Sequence, residues 1–354
     1  MENGKIYAWE MQALNADFAL VEKPMPRLEK HEALVKVAGC GVCHTDLGFW
    51  HDGVRTKHDL PLTLGHEISG TVVAGPETLM GQKVIVPAVL PCGECELCKS
   101  DRSNICRDQL MPGNDLDGGF ASHIKVPHRY LCPVPDAVLS NYSLEQLAVI
   151  ADAISTPYQV IKKSDLIEGD LAIVIGVGGV GIYAAMIAKI FGAKVLALDI
   201  DADKLKIAEQ NGADASLNIS GLDIREIKTQ VKEKAKELGV SKFGWKIFEV
   251  SGTKPGQELA FALVTYASTL SIVGFTMDKL EVRLSNLMAF DAEVVGTWGC
   301  KPELYPEVVD LIASGKLQIG QFVETFPMST INEVFKNTLD HKYSKRSVLV
   351  PDFN

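Results

Sequence analysis

Between residues 151 and 295 the chain alternates short apolar runs with segments of helical period. Leu171–Ile175 is apolar at every position, the pattern of a strand buried on both faces of a parallel sheet. Gly178–Phe191 follows with helical character, then a second strand at Lys194–Asp199 and a second helix, Ala202–Asn211, closed by Gly212. Ala215–Ile219 reads as a third strand, and Asp223–Leu238 as a long charged helix stopped by Gly239. Trp245–Val250, Thr269–Val273 and Glu293–Thr297 supply three more strands. Six short apolar strands with helical crossovers predict an α/β fold with a doubly wound parallel sheet.

The pattern before residue 150 is different. Glu32–Ala38, Glu67–Ala74, Lys83–Val86 and Ala121–Val126 are short apolar or alternating runs set between loops rich in Gly, Pro and His. They predict a β-rich domain, with no strong helical period before about Leu144. After about residue 297 a short helix (Leu304–Ser314) and final strands ending at Arg346–Val350 are expected to return to the first domain. The predicted division is 1–150, 151–297 and 298–354. No repeat or low-complexity linker interrupts it, and the Lys/Glu-rich segment 225–237 reads as a solvated helix face. Leu171–Ala188 is 18 uncharged residues, long enough to imitate a membrane span. Gly176, Gly178, Gly179 and Gly181 fall within it, and a strand followed by a helix accounts for it better.

The full sequence of 354 residues is long enough for two domains, and 47% hydrophobic with 23% charged residues fits a globular protein. Its net charge of −10 argues against nucleic acid and anionic lipid as partners. The first residues lack the basic start and apolar run of an export signal, so a cytoplasmic location is expected. Of eight cysteines, Cys92, Cys95, Cys98 and Cys106 crowd into 15 residues, which in a reducing compartment indicates metal thiolates rather than disulfides.

Three motifs carry chemistry. Gly176-Val177-Gly178-Gly179-Val180-Gly181 is a G-x-G-x-x-G between a buried strand and a helix start, where backbone amides and the helix N-terminus can receive a pyrophosphate. Asp199 lies 18 residues after Gly181, at the end of the second strand. A carboxylate there accepts hydrogen bonds from both ribose hydroxyls and repels a 2′-phosphate, which favours NAD over NADP. Cys92-x2-Cys95-x2-Cys98-x7-Cys106 can close four thiolates around one tetrahedral zinc, a structural site with no open position. Cys43, in Cys40-Gly41-Val42-Cys43-His44-Thr45-Asp46, and His66, in Gly65-His66-Glu67, are candidates for a second, open zinc site that needs one more protein donor.

These motifs, in this order along essentially the whole chain, resemble the zinc-dependent medium-chain alcohol dehydrogenases. The resemblance implies a GroES-like β-rich catalytic domain, with a structural zinc lobe at about 91–107, into which a Rossmann domain is inserted. It implies two zinc ions and NAD. Cys43 and His66 would be catalytic zinc ligands, Thr45 would receive the substrate proton, His44 would lie near the cofactor pyrophosphate and Lys204 near the adenosine ribose. Arg346 falls where such proteins place a basic residue on the cofactor phosphates. Two departures stand out. The third ligand of many relatives is a cysteine, and the matching position here is Asp152, with Glu67 either beside the ion or exchanging onto it. The relay histidine that relatives carry five residues after the ligand cysteine is replaced by Gly48, leaving His44 or His51 to finish the relay.

A narrower resemblance, to 6-hydroxycyclohex-1-ene-1-carbonyl-CoA dehydrogenases of anaerobic aromatic degradation, rests on Gly244–Glu249, Ser251–Gln257, Leu284–Phe290 and Trp298–Cys300. It implies oxidation of a cyclic 6-hydroxy-1-ene acyl-CoA thioester to the conjugated ketone. The alternatives are a dehydrogenase of simple secondary alcohols or polyols, a 1,4-reductase of a conjugated CoA thioester, and a zinc-stabilised binding protein without catalysis. Val54, Ala88, Phe120 and Trp298 are candidates for a substrate pocket, each equally readable as a core or cleft-lining residue. A homo-oligomer, dimer or tetramer, is expected, with the strand near Thr297 available to pair across an interface.

Overall fold

The structure, a computed structural model describing residues 4–353, divides into two compact units, Met1–Ser155 with Gly299–Asn354, and Thr156–Trp298.

The second unit is built on six parallel strands in the spatial order Ala215–Asn218, Lys194–Asp199, Leu171–Ile175, Lys246–Glu249, Thr269–Ile272 and Glu293–Gly296. Leu171–Ile175 is buried at all five positions because it has a neighbour on each side, Ile175 lying opposite Leu198 on one and Glu249 on the other. Strand order reverses between it and Lys246–Glu249, so the loops at their carboxyl ends diverge and leave a crevice there. Side chains from the sheet and its helices, among them Ile173, Leu196, Val231, Ile247 and Leu259, form one core. The helices start where the sequence provides caps. Asp201 accepts from the amides of Asp203 and Lys204, Asp223 forms a capping box with Glu226, and Thr253 accepts from Gly256. The apolar stretch 171–188 is a strand followed by the helix Gly181–Ile190, and no helix among the described residues is long and apolar enough to cross a membrane.

The first unit holds a seven-stranded sheet. Its main path runs Val323–Pro327, Arg346–Val350, Glu32–Gly41, Glu67–Ala74, Lys83–Val86, Cys132–Pro133, and His123–Pro127 also pairs with Glu32–Gly41. A smaller sheet orders Ala19–Pro24, Lys5–Met11 and Leu62–Thr63. Arg346–Val350 pairs antiparallel with Glu32–Gly41, Leu349 opposite Cys40, which brings the end of the chain beside the first cysteine motif. Phe18, Trp50, Phe120 and Phe335 cluster in the core, with Phe18 and Phe335 ring centroids 4.6 Å apart. Of the two places open to Phe120, core and cleft, the structure gives it the core.

Before Leu144 the helices are short, at His44–Trp50, Glu96–Lys99 and Asp136–Leu139. His44–Trp50 spans only seven residues around a glycine, too short for a helical period to emerge. The strands Lys5–Met11 and Ala19–Pro24 pair as a partly exposed hairpin, so their mixed Lys, Glu and apolar content hid them.

Candidate active site

Cys43 lies two residues beyond the strand Glu32–Gly41 and is the N-cap of the helix His44–Trp50. The neighbouring strand Glu67–Ala74 sets Glu67 opposite Gly41, with His66 just before it. Asp152 follows the tightly wound run Glu145–Ala151, whose last five residues are buried. One donor atom from each of Cys43, His66, Glu67 and Asp152 lies within 4.8 Å of the others. Cys43 Sγ and His66 Nε2 are each 3.7 Å from Asp152 Oδ2. Zinc bonds of ~2.0–2.3 Å in a tetrahedron place donors ~3.3–3.8 Å apart, so these three fit one ion. His66 is 1% exposed, and its ring nitrogens make no well-formed hydrogen bond among the described residues, only longer approaches to carboxylates, 3.4 Å from Nδ1 to Asp46 and 3.7 Å from Nε2 to Asp152. A buried imidazole so weakly satisfied at Nε2 is costly unless a ligand is bound there. Burial pushes the His66 pKa down, but Asp46 and Asp152 outweigh it and raise it well above the ordinary value, so the site attracts positive charge.

Asp46 is the residue the sequence reading passed over. It is fully buried, and its carboxylate accepts from the Cys43 amide at 2.9 Å and the Gly65 amide at 3.1 Å. One oxygen also lies 3.4 Å from His66 Nδ1. Asp46 thus ties the Cys43 and His66 segments together and orients the imidazole. The available signal was a lone acid three residues after Cys43, ahead of the apolar Leu47-Gly48-Phe49-Trp50.

Glu67 is also fully buried, and both its oxygens accept from Arg346, Nε at 3.0 Å and Nη2 more closely still. The fork is possible because residue 41 is glycine, since a Cβ there would stand 2.0 Å from Glu67 Oε2. Although burial lowers it, the Arg346 pKa is raised well above its ordinary value by Glu67 and Cys43, so the guanidinium stays charged. Glu67 belongs to the donor cluster, but its lone pairs are shared with Arg346.

The four remaining cysteines form their own cage. Cys95 Sγ is 3.5 Å from Cys98 Sγ and 3.7 Å from Cys106 Sγ, and Cys92 Sγ is 3.5 Å from Cys106 and 3.9 Å from Cys98. A Zn–S bond of ~2.3 Å implies ~3.8 Å between tetrahedral sulfurs. All four are free thiols. The backbone amides of Glu94 and Cys95 pull the Cys92 thiol down to about 7, while burial and its neighbouring thiols push Cys98 up to about 12. Four such thiols do not ionise together without a cation between them.

In the second unit the glycine-rich turn has the shape its spacing requires. Gly176 has φ +85°, and a Cβ at Gly181 would stand 1.8 Å from the Gly176 carbonyl oxygen. A Cβ at Gly178 would meet no protein atom within 4 Å, so space stands open beside that residue of the turn. Gly179 is exposed and Val180 caps the helix Gly181–Ile190. Asp199 ends its strand with Oδ2 accepting from the Val177 amide at 2.8 Å and Oδ1 from the Asp201 amide at 3.0 Å. The acid proposed for ribose is thus fixed against the glycine turn. Lys204 is half-buried in the first turn of the helix Ala202–Gln210.

Thr45 Oγ1 is 3.8 Å from Cys43 Sγ, at the rim of the open donor set. His44 is exposed and stacks 6.1 Å from His341. His51 is exposed beyond the same helix, with Nδ1 2.8 Å from Asp52. Ala88 is buried, Val54 half-buried and Trp298 exposed.

Residues 29–136 match the model of the alcohol dehydrogenase GroES-like domain, and residues 179–314 that of the zinc-binding dehydrogenase. An alcohol dehydrogenase of Geobacillus stearothermophilus is 34% identical over 334 residues, covering 93% of this chain and 94% of that protein. A sorbitol dehydrogenase of Bacillus subtilis (strain 168) is 26% identical over 338 residues, 92% of each. Among solved structures, acetophenone reductase from Geotrichum candidum, in complex with NAD, aligns with a TM-score of 0.85 at 27% identity, over 99% of this chain and 98% of that one. The GroES-like β domain and the parallel Rossmann sheet are thereby established, and the chain belongs to the zinc-binding alcohol dehydrogenase family of medium-chain oxidoreductases, which act on CH–OH groups.

Proposed function

We propose that this chain is an NAD-dependent zinc dehydrogenase that interconverts a secondary alcohol or polyol and its ketone. The observation that carries the reading is the open donor set, Cys43, His66 and Asp152 about one tetrahedral edge apart, with the Thr45 hydroxyl 3.8 Å from the sulfur. When bound, zinc supplies Lewis acidity that lowers the pKa of an alcohol, and NAD supplies the hydride acceptor. The chain's own residues do the rest. Thr45 takes the hydroxyl proton, Asp46 holds the His66 ring, and Arg346 holds the Glu67 carboxylate. The amides of the glycine turn receive the pyrophosphate, with His44 and Arg346 proposed to add positive charge to it, and Lys204 stands near the ribose. Cys92, Cys95, Cys98 and Cys106 hold the structural ion. The intact open set counts against a purely structural zinc protein and against a zinc-free enoyl reductase.

Asp199 receives the ribose hydroxyls in this reading. Asp199→Asn keeps an acceptor for the Val177 amide and removes the charge. Hydrogen bonds to a charged group are worth ~1.5–3 kcal/mol, so the KM for NAD rises by about tenfold or more and the preference over NADP narrows. Steady-state kinetics with both cofactors checks this, and an unchanged preference removes Asp199 from the cofactor site.

A second, narrower reading makes the alcohol a cyclic 6-hydroxy-1-ene acyl-CoA thioester. It is favoured by the segments Gly244–Glu249, Ser251–Gln257, Leu284–Phe290 and Trp298–Cys300. NAD reduction assayed across secondary alcohols, polyols and 6-hydroxycyclohex-1-ene-1-carbonyl-CoA separates the two. The narrower reading expects the thioester to turn over well above the rest, and equal rates on propan-2-ol defeat it. Absence of NAD reduction with every alcohol defeats both. We further propose a homo-oligomer in the cytoplasm, dimer or tetramer, since the edge strand Glu293–Gly296 has its side chains largely exposed.

A further inference from the structure

We propose that Tyr305 is a positioning residue for the Asp152 metal donor, acting through the carbonyl of Ala151. Tyr305 opens the helix Tyr305–Ala313 and is fully buried. Its hydroxyl donates a short hydrogen bond to the Ala151 carbonyl and accepts one from the Ala88 amide at 3.2 Å. Both capacities of the hydroxyl are used, and each partner belongs to a different segment of the first unit. One is the run Glu145–Ala151 that delivers Asp152, and the other is the loop after strand Lys83–Val86. The same Ala151 carbonyl accepts from Ser155 Oγ at 3.1 Å, and Ser155 too is fully buried. Two buried hydroxyls therefore converge on the peptide between Ala151 and Asp152, next to the donor that replaces a thiolate in this chain.

The physical need follows from the donor. A carboxylate can bind through either oxygen and swing about two torsions, whereas the backbone beside the Cys43 and His66 donors is already held, since Asp46 accepts from the Cys43 and Gly65 amides. Asp152 sits at the end of the wound run with φ −142° and ψ −56°, outside helical geometry, so the direction of its side chain depends on how the peptide before it is set. Fixing the carbonyl one residue upstream restricts where the Asp152 Cα vector points and keeps Oδ2 3.7 Å from both partners. Partners of this kind typically affect metal affinity by ~10–100-fold. Since Tyr305 touches no reacting atom, its effect is on metal retention.

The proposal rests on Asp152 being a metal donor, and the test separates the two claims. Zinc release to a chelator is followed in the native chain, Tyr305→Phe, Asp152→Ala and the double variant, with the four-cysteine zinc as an internal control. Tyr305→Phe is expected to release the open-site zinc about tenfold faster or more, leaving the control unchanged. In cobalt-substituted protein it is expected to shift the d–d bands. In the Asp152→Ala background the same change should have no further effect. Native-like release from Tyr305→Phe, or an equal acceleration in both backgrounds, overturns the positioning role. Native-like release from Asp152→Ala overturns the ligand assignment beneath it. Should Tyr305→Phe fail to fold, Ser155→Ala removes the other donor to the same carbonyl and gives the same readout.

Discussion

Cys43→Ser is expected to lower kcat/KM for alcohol oxidation by about a thousandfold or more while NAD still binds. The substitution is chosen to spare the fold. Serine is a favoured N-cap residue, so the helix His44–Trp50 keeps its start and the Cys43 amide keeps its bond to Asp46. What is lost is the thiolate, because a serine hydroxyl stays protonated and makes a poor zinc ligand. The sulfur lies 3.7 Å from Asp152 Oδ2 and 3.8 Å from Thr45 Oγ1, so it anchors both the donor set and the hydroxyl proposed to take the proton. Lewis-acid stabilisation of the developing alkoxide is worth several kcal/mol, and ~4 kcal/mol corresponds to about a thousandfold. The glycine turn and Asp199 lie in the other unit and are untouched. Steady-state kinetics beside a fluorescence titration with NADH checks both halves. A variant within tenfold of the native rate would remove Cys43 from the chemistry.

The second large effect is on stability. Arg346→Ala leaves the Glu67 carboxylate fully buried with neither of its Arg346 bonds. Breaking a buried pair from one side costs ~3–5 kcal/mol, whereas removing both charges costs far less. The expected result is a large drop in the denaturation midpoint for Arg346→Ala, and a smaller one when Glu67→Gln is combined with it. Equal losses for the single and double variants would mean that the pair is not what Arg346 contributes. The pair also bears on the cofactor role proposed for Arg346, since the side chain that would meet a phosphate is already held in place by a carboxylate.

What the sequence shows and what it hides follow from separation along the chain. The strand Leu171–Ile175, the glycine turn and the four cysteines are local patterns, each set by neighbours within a few residues, and each reads directly. Asp199 is legible for the same reason, at a fixed distance from the turn, although its bond to the Val177 amide is visible only in the structure. The open donor set joins residues up to 109 positions apart, and Asp152 was placed there by resemblance alone. The Glu67–Arg346 pair spans 279 positions and the Tyr305–Ala151 bond 154, with no periodicity to announce either. Asp46 is the intermediate case. It stands three residues from Cys43, but its importance depends on a short helix whose period is too brief to see and on Gly65 reaching it from the loop between the strands Leu62–Thr63 and Glu67–Ala74. Phe120, an aromatic residue beside two glycines, reads equally well as cleft or core, and only its packing on Phe18 and Phe335 decides for the core.

Two zinc sites of different kinds are proposed for this chain, one closed and one open for substrate. Metal analysis of the purified protein, native and Cys43→Ser, distinguishes the two kinds of site. Two zinc ions are expected per native chain, falling to one in the variant, with the remaining ion held by Cys92, Cys95, Cys98 and Cys106. A single zinc in the native chain, unchanged by Cys43→Ser, would leave no open zinc site at Cys43.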